Sequence, residues 1–256
     1  GQFYNGFRIQ VRVIAALFLR ETRSTFGSSS FGYLWAILTP TLGVALLVII
    51  FSFASRQPPF GQSLALFFAT GFLSYEFYNK LTQSIMSSTD ANRALLLYPI
   101  VTPLAAVAAR FFLITITYFI IMCLFYWGLI LLKLAEYPSY PIQLCYAFIA
   151  IGLLGLSIGL VNISLMNVWS EWRFIWQIIN RPIFFISGIF FIPSLLPEYV
   201  LRYLKWNPVL HLIEWVRSAY YPNYDSRVLD IGYLFSVTFL FIAVGLFAER
   251  LLRFNK

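Results

Sequence analysis

The residues of this chain that could do chemistry are few, and three of them fall at regular spacing near the end of the sequence. His211, Glu214 and Arg217 recur at every third position, which places them on one face of a helix. His211 is the one histidine among 256 residues. The spacing predicts a buried structural hydrogen-bond cluster, and a proton relay is the alternative.

Other patterns that support catalysis are missing from the sequence. No G-x-x-x-x-G-K-[ST] phosphate loop occurs, so the chain has no ATP site of that kind. No H-E-x-x-H pair occurs, and Cys123 and Cys145 lie in apolar runs without C-x-x-C spacing. The few acidic residues are scattered, which argues against a metal-dependent glycosyltransferase. We expect no catalytic and no metal site, and therefore a chain that is not an enzyme by itself.

One cation lies inside an apolar run. Arg181 sits about two turns into the run Phe174–Ile192, between Asn180 and Pro182. A long basic side chain at this depth can extend its charge toward the headgroups of the cytoplasmic leaflet. The alternative is that Arg181 binds an anionic group.

The elements that must position these residues are long apolar segments. The chain is 60% hydrophobic and 11% charged, with a mean hydropathy of +0.78. A spanning helix needs roughly 20 mostly apolar residues. The six runs of about that length are Leu34–Phe53, Leu64–Leu81, Phe111–Leu132, Ile142–Asn167, Phe174–Ile192 and Val228–Phe247. The sequence predicts an all-α integral membrane protein with six transmembrane helices in a single domain, 1–256.

The basic residues are distributed unevenly between the two sides of this topology. With a cytoplasmic N-terminus, twelve of the 18 Lys and Arg residues fall on the cytoplasmic side and six on the other. Cytoplasmic loops carry such an excess of Lys and Arg. Both termini are therefore expected in the cytoplasm, and nucleic-acid binding is not needed to explain the basic charge.

Two segments on the cytoplasmic side are too polar to span. Residues 3–24 form a basic amphipathic pattern typical of a helix in the membrane interface. That helix could be an anchor or a docking surface for a partner. Ser84–Leu97 is rich in Ser and Thr and then in Leu, which predicts a short helix across the membrane axis. We expect a peripheral subunit to bind there.

The segment Pro193–Arg227 lies on the outer side and is too charged to span. Its tyrosines, tryptophans and prolines predict two short helices that break at Asn207-Pro208 and enter the outer leaflet. Non-helical backbone at membrane depth must pack on protein or line an aqueous cavity. This favours a gate or channel lining over a passive loop.

Two motifs in the expected order resemble those of the ABC-2 type polysaccharide export permeases. The first precedes and enters the first span: Arg20-Glu21-Thr22-Arg23-Ser24-Thr25-Phe26-Gly27, then Gly32-Tyr33-Leu34-Trp35-Ala36 and Pro40. The second precedes the last span: Trp206-Asn207-Pro208-Val209-Leu210-His211, then Glu214, Arg217 and Tyr220-Tyr221. The resemblance covers essentially the whole chain and is greatest to the capsular polysaccharide export permeases of the KpsM type.

The resemblance implies a type V exporter fold and a bacterial inner-membrane complex. Such permeases are homodimers with two copies of a separate ATPase subunit, which binds ATP and Mg²⁺, so no cofactor is expected in this chain. The exported substrate is a lipid-linked, acidic polysaccharide, and a periplasmic adaptor and an outer-membrane exporter complete the route. Ser84–Leu97 would be the coupling helix. Its ATPase contacts would be Ser87, Asp90, Asn92 and Arg93.

The resemblance also assigns a substrate path and an outer gate. Spans one and five of opposite protomers would line the path, with cations at its mouth and aromatic rings stacking on sugars. The path candidates are Arg173, Arg181, Trp172, Trp176, Phe184, Phe185, Phe190 and Phe191. The gate candidates are Trp206, Asn207, Pro208, His211, Glu214 and Arg217. Ordinary packing is the alternative role for each aromatic ring.

Other functions fit the same topology. Within the class, a permease for O-antigen, teichoic acid or small drugs is an alternative. Drug exporters of this type often carry a larger external domain, which this sequence does not show. A membrane channel, or a scaffold without ATP-driven transport, is the alternative from another class.

Overall fold

The computed structural model describes residues 2–27, 30–54, 56–92 and 101–254, and in these residues it shows helices and no strand. The helices are α1 (Gln2–Phe26), α2 (Ser30–Phe53), α3 (Leu64–Phe68), a π-helix (Ala69–Leu73), α4 (Ser74–Met86), α5 (Ser88–Ala91), α6 (Pro103–Leu131), α7 (Pro141–Val168), α8 (Trp172–Ile186), a 3-10 turn (Pro193–Leu195), α9 (Glu198–Leu204), α10 (Pro208–Tyr220) and α11 (Ile231–Phe254). The all-α class expected from the sequence is confirmed.

Four helices in the described part of the chain are long and apolar enough to cross a membrane. They cover Phe31–Phe53 in α2, Pro103–Leu131 in α6, Pro141–Val168 in α7 and Ile231–Leu251 in α11. Each corresponds to one of the six apolar runs. Proline at the first position of α6 and α7 marks where these helices begin, because its missing N–H has no partner there in any helix. The chain is a multi-pass membrane protein.

The two remaining runs fold differently from the other four. The run Leu64–Leu81 forms α3, the π-helix and α4, which together make one uninterrupted helical segment. The run Phe174–Ile192 forms α8, whose 15 residues extend about 22 Å. This helix ends before the run does because Gly188 has a φ of +81°, which a right-handed helix cannot continue. The expected spanning helix is therefore shorter than its apolar run.

The helix α7 lies at the centre of the bundle, where it contacts α4, α10 and α11. Glycine lets its neighbours approach closely. A Cβ atom at Gly159 would lie 2.8 Å from Ile85 of α4, and one at Gly245 of α11 would lie 2.6 Å from Leu160 of α7. Small residues give this kind of close packing between membrane helices, where burial of apolar surface provides little driving force.

The helix expected over residues 3–24 is α1, and it packs on the N-terminal half of α6. Leu17 is buried with Ala105 and Ala109, and Ile14 and Phe18 lie against this cluster. The apolar side of the amphipathic pattern is therefore partly covered by the protein itself. Its position in the membrane interface stays a prediction.

The helix expected over Ser84–Leu97 is not a single element. The helix α4 continues past Ser84, the chain breaks at Ser87, and α5 is four residues long. The hydroxyl of Ser87 bonds back to carbonyl oxygens in the last turn of α4, which favours the break. The rest of the expected helix, with Arg93, falls in residues 93–100, which lie outside the described residues.

The segment Pro193–Arg227 contains α9 and α10, separated at Asn207. The side-chain oxygen of Asn207 accepts the Val209 N–H at 3.0 Å, and Pro208 occupies the first position of α10. This is an N-cap followed by proline, and it explains why a new helix begins there. Two short helices at these positions agree with the sequence-based expectation, and their depth in the membrane stays a prediction.

Candidate functional site

Two polar stripes border a groove between α4 and α8. Glu76, Asn79 and Gln83 recur on one face of α4, and Gln177 and Arg181 recur on one face of α8. These side chains line two clefts, of about 380 Å³ and about 340 Å³. Gln83 and Gln177 line both clefts, so the two clefts are adjacent, and together they are called the α4–α8 groove below.

Amide hydrogen bonds join the two helices in the middle of the groove. The amide nitrogens of Asn180 and Gln83 donate to the side-chain oxygen of Asn79 at 2.7 Å and 2.9 Å. The Tyr75 hydroxyl donates to the Asn180 carbonyl at 3.0 Å. The side-chain oxygen of Asn180 is buried and has no partner among the described residues. An unmet buried acceptor of this kind costs about 1–3 kcal/mol.

The end of the groove nearest α5 is cationic. Lys80, Arg110 and Arg173 line the cleft of about 340 Å³, and Arg181 lines the adjacent cleft of about 380 Å³. Arg173 is half exposed and pairs with the half-exposed Asp90 of α5 at 2.8 Å. Arginine and lysine donors of this kind bind carboxylate or phosphate through charge-assisted hydrogen bonds.

The other end of the groove is aromatic. Phe184 and Phe185 line the cleft of about 380 Å³, and Phe185 is 61% exposed. Phe190, which follows the end of α8, packs against these rings with centroids 5.3 Å and 5.9 Å away. The groove thus offers cations, then amides, then flat apolar rings. This spatial order of cationic, polar and apolar surfaces suits a ligand with a charged group and hydroxyl-bearing rings.

Three other candidates for the path lie outside this groove. The indole nitrogen of Trp172 donates to the Asn162 side chain of α7 at 3.0 Å. Trp176 is buried within the protein. Phe191 offers its backbone carbonyl to Arg217 at 3.3 Å. The two tryptophans lie on other faces of α8 than Gln177 and Arg181, and Phe191 lies beyond the end of that helix.

Two of the expected ATPase contacts belong to an internal network. Asn92 is fully buried, and its amide donates to Glu21 of α1 at 2.8 Å. Glu21 pairs with Arg110 of α6 at 3.1 Å, and Arg110 donates to the Ser87 hydroxyl at 2.8 Å. Arg20 donates to the Asn92 side-chain oxygen at 2.7 Å. The expectation that Asn92 faces a partner is wrong, because its side chain ties α1 to α5.

Asp90 is the expected ATPase contact that stays accessible in the described residues. Its side chain is half exposed, and its carboxylate forms the ion pair with Arg173 at the beginning of α8. The short helix α5 is thus connected to the helix that forms one wall of the groove.

Arg217 is fully buried and contacts the turn that follows the C-terminal end of α8. Its guanidinium donates to the Gly188 carbonyl and to the Ile189 carbonyl, the latter at 3.1 Å. It also lies 4.0 Å from the ring centroid of Phe67, just before the π-helix. A Cβ atom at Gly71 in the π-helix would approach the guanidinium to 2.8 Å, so glycine leaves the room that Arg217 occupies.

His211 and Glu214 are also buried, but each has its own partners. His211 Nδ1 accepts the Asp230 N–H at 3.0 Å, and Nε2 lies 2.8 Å from the Lys205 carbonyl. Glu214 accepts the Tyr224 hydroxyl at 2.6 Å. Backbone groups occupy both ring nitrogens of His211, which fits the structural interpretation of this triplet better than a proton relay.

The amide contacts that join α4 to α8 are not predictable from the sequence alone. Asn79 and Asn180 are 101 positions apart, so no local pattern shows their contact. The available signal is the polar spacing of Glu76 and Asn79 at the end of the apolar run Leu64–Leu81, which continues at Gln83 beyond the run. In the described residues, no group of three or more His, Cys, Asp or Glu side chains is placed to hold a metal ion.

A multi-pass helical protein with a polar, partly cationic groove between two helices has the form expected of a transporter subunit. Residues 12–221 match the family model described as ABC-2 type transporter. The chain belongs to this family.

Proteins similar to this chain include polysialic acid transport and capsule polysaccharide export proteins. The chain is 31% identical over 253 residues to the polysialic acid transport protein KpsM of Escherichia coli, covering 96% of each protein. It is 24% identical to the capsule polysaccharide export inner-membrane protein CtrC of Neisseria meningitidis serogroup A, covering 99% of this chain and 95% of the relative. It is 24% identical to the corresponding protein BexB of Haemophilus influenzae, covering 95% and 92%.

Proposed function

We propose that this chain is the permease subunit of an ABC transporter that exports lipid-linked capsular polysaccharide across the bacterial inner membrane. The observation that carries the proposal is the full-length similarity to capsule export inner-membrane proteins from three organisms. The chain is not an enzyme by itself in this proposal. A separate ATPase subunit binds ATP and Mg²⁺ and drives transport.

The proposed topology has six crossings and both termini in the cytoplasm. The segment Leu64–Met86 is one uninterrupted helical segment of about 34 Å, which is long enough to cross. The helix α8 and the turn after it form the fifth crossing, and α10 closes its outer end through Arg217. The excess of basic residues on the proposed cytoplasmic side supports this orientation.

The permease is proposed to act as a homodimer with two ATPase subunits. The helix α2 is largely exposed along its length, and Leu42, Leu46 and Ile49 are examples. The helix α8 also exposes Ile178. These apolar surfaces belong to spans one and five, so they are suited to meet a second copy and form the path between protomers. A periplasmic adaptor and an outer-membrane exporter would continue the route.

The groove between α4 and α8 is the proposed site for the charged end of the substrate. Lys80, Arg173 and Arg181 would bind acidic groups of the glycan or its lipid-linked phosphate. The exposed ring of Phe185 would stack on a sugar ring. A relative with a polysialic acid transport name supports an acidic substrate.

Genetic complementation tests the proposed function. A strain that makes capsule but lacks its own permease would receive this chain together with the ATPase encoded beside it. We expect acidic polysaccharide on the cell surface, measured with an antibody or a lectin on intact cells. The same strain with an ATPase that cannot hydrolyse ATP should retain the glycan inside. Surface capsule without ATP hydrolysis would favour a channel, and no capsule in either strain would contradict the proposed substrate.

A further inference from the structure

A second and larger cleft lies between α9 and the beginning of α11. Its volume is about 1110 Å³, and none of the side chains that line it belongs to the α4–α8 groove. The cleft is lined by Arg202 of α9, by Lys205, which follows the last residue of α9, and by Arg227 from the connection to α11. None of these three forms an ion pair within the described part of the chain. Three cationic groups are therefore available to an anionic ligand.

The two carboxylates of the cleft have other roles. The Asp230 carboxylate accepts the Tyr233 N–H at 2.8 Å and so caps the N-terminus of α11. Glu198 lies in the first turn of α9, where the helix dipole stabilises a negative charge. With three cations and two carboxylates, the cleft carries one net positive charge. The carboxylates are stabilised by helix N-termini and do not need the cations as partners.

Aromatic rings lie beside these cations. Trp206 is 68% exposed and Tyr199 is 72% exposed. The hydroxyl of Tyr233 donates to the Trp206 carbonyl at 2.7 Å, and the two rings meet edge to face with centroids 6.1 Å apart. This contact holds the indole in place. A fixed, exposed ring beside free cations can bind the apolar CH face of a sugar while the cations bind its carboxylate.

We propose that the α9–α11 cleft is a binding site for acidic sugar residues of the exported glycan on the outer side of the membrane. The inference rests on the proposed function, which supplies the glycan and the side. Arg202, Lys205 and Arg227 bind the sugar carboxylates, and Trp206 stacks on the ring. The site holds the chain after it leaves the permease and opposes its return.

Direct binding to the full-length protein tests this site. The protein would be placed in nanodiscs of zwitterionic lipid and titrated with a linear hexamer of sialic acid. Maltohexaose, which is neutral and equally long, is the ligand control. We expect the sialic acid hexamer to bind, with an affinity that falls as salt rises, and maltohexaose to bind far more weakly.

Three matched variants locate the binding. The combined change Arg202→Gln, Lys205→Gln and Arg227→Gln should weaken hexamer binding by about tenfold or more, because charge-assisted bonds are lost. Trp206→Ala should weaken it as well. Lys133→Gln, an exposed cation outside the cleft, should leave it unchanged. All of these side chains are exposed, and an unchanged elution profile in detergent would confirm that each variant folds.

Two outcomes would overturn the inference. One is equal hexamer affinity for the wild type and the triple variant. The other is that the wild type does not bind the hexamer, while the triple variant retains less phosphatidylglycerol than the wild type. The cleft would then hold a lipid headgroup. Capsule complementation separates this failure from that of the proposed function. If the wild type restores surface capsule but does not bind the hexamer, only the outer site is rejected.

Discussion

Arg217 lies on α10, but its guanidinium bonds to backbone carbonyls that follow α8 and precede the π-helix. Within the described residues it has no carboxylate partner. Its charge is instead stabilised by the Ile189 carbonyl at 3.1 Å, the Phe67 carbonyl at 3.4 Å and the face of the Phe67 ring. One side chain thus connects three segments, namely α10, the turn after α8 and the end of α3. Their arrangement should depend on the planar, multiply donating guanidinium rather than on charge alone.

Replacing Arg217 should therefore destabilise the protein strongly. Arg217→Met would leave several buried carbonyls without donors, and we expect a loss of about 2–5 kcal/mol in the free energy of unfolding. Arg217→Lys should recover only part of it, because an ammonium group cannot reach all of these oxygens. The unfolding midpoint of the purified protein in detergent measures both effects. Arg202→Met, at an exposed arginine of α9, is the control, and equal midpoints for the two methionine variants would contradict this role.

His211 should make stability depend on pH. Burial lowers the pKa of His211 below its ordinary value, although Asp230 and Glu214 act in the opposite direction. The unfolded chain takes up a proton on this histidine near pH 6.5, and the folded chain does so only at lower pH. The stabilising contribution is therefore complete above about pH 6.5 and declines as pH falls below that value. Unfolding temperatures between pH 5 and 8 should show this decline, and His211→Gln should reduce it. An identical slope in the variant would contradict the assignment.

The elements next to the expected ATPase surface are joined by one network of polar contacts. The helices α1, α5 and α6 meet at Glu21, Asn92 and Arg110, all of which are at least largely buried. From this unit, the ion pair between Asp90 and Arg173 leads to α8. A force applied to α5 can therefore reach the groove through α8. Such an exposed pair adds only about 0–1 kcal/mol to the free energy of unfolding. Its loss should therefore reduce export more than it reduces stability.

A charge exchange tests that connection. Asp90→Arg alone should reduce export because two cations would face each other between α5 and α8. Combining it with Arg173→Asp should restore a substantial part of export, since the pair is reversed. Surface capsule and the amount of inserted permease would be measured together. If the double variant is no better than the worse single variant, Asp90 acts through the ATPase subunit and not through Arg173.

The same elements show how far the sequence predicts this fold. Apolar runs locate α2, α6, α7 and α11, because a membrane helix must present about 20 apolar residues in sequence. The end of α8 could not be located in this way, since it depends on Gly188 and on a bond to Arg217, 29 positions away. The burial of Asn92 depends on Glu21, 71 positions away. Composition therefore predicts spans, whereas polar contacts between distant segments decide which residues are accessible.

At the scale of the whole molecule, the α4–α8 groove extends from the short helix α5 to the turn that follows α8. Its cationic end lies beside α5, the element expected to receive the ATPase motion, and its aromatic end lies beside the turn held by Arg217. In the proposed function, the charged lipid-linked glycan enters at the first end and moves toward the second. Arg181 lines the cleft of about 380 Å³ and forms no ion pair in the described residues. It is therefore the residue at which substrate binding and transport should be most closely connected.

The most direct measurement is the ATPase activity of the reconstituted permease–ATPase complex as glycolipid is added. Arg181→Ala should leave basal hydrolysis unchanged and raise the half-maximal glycolipid concentration by about tenfold or more, the loss expected for a charge-assisted contact of about 1.5–3 kcal/mol. Arg56→Ala, at an exposed arginine outside the groove, should match the wild type. Equal half-maximal concentrations for Arg181→Ala and wild type would contradict the claim that this groove binds the substrate.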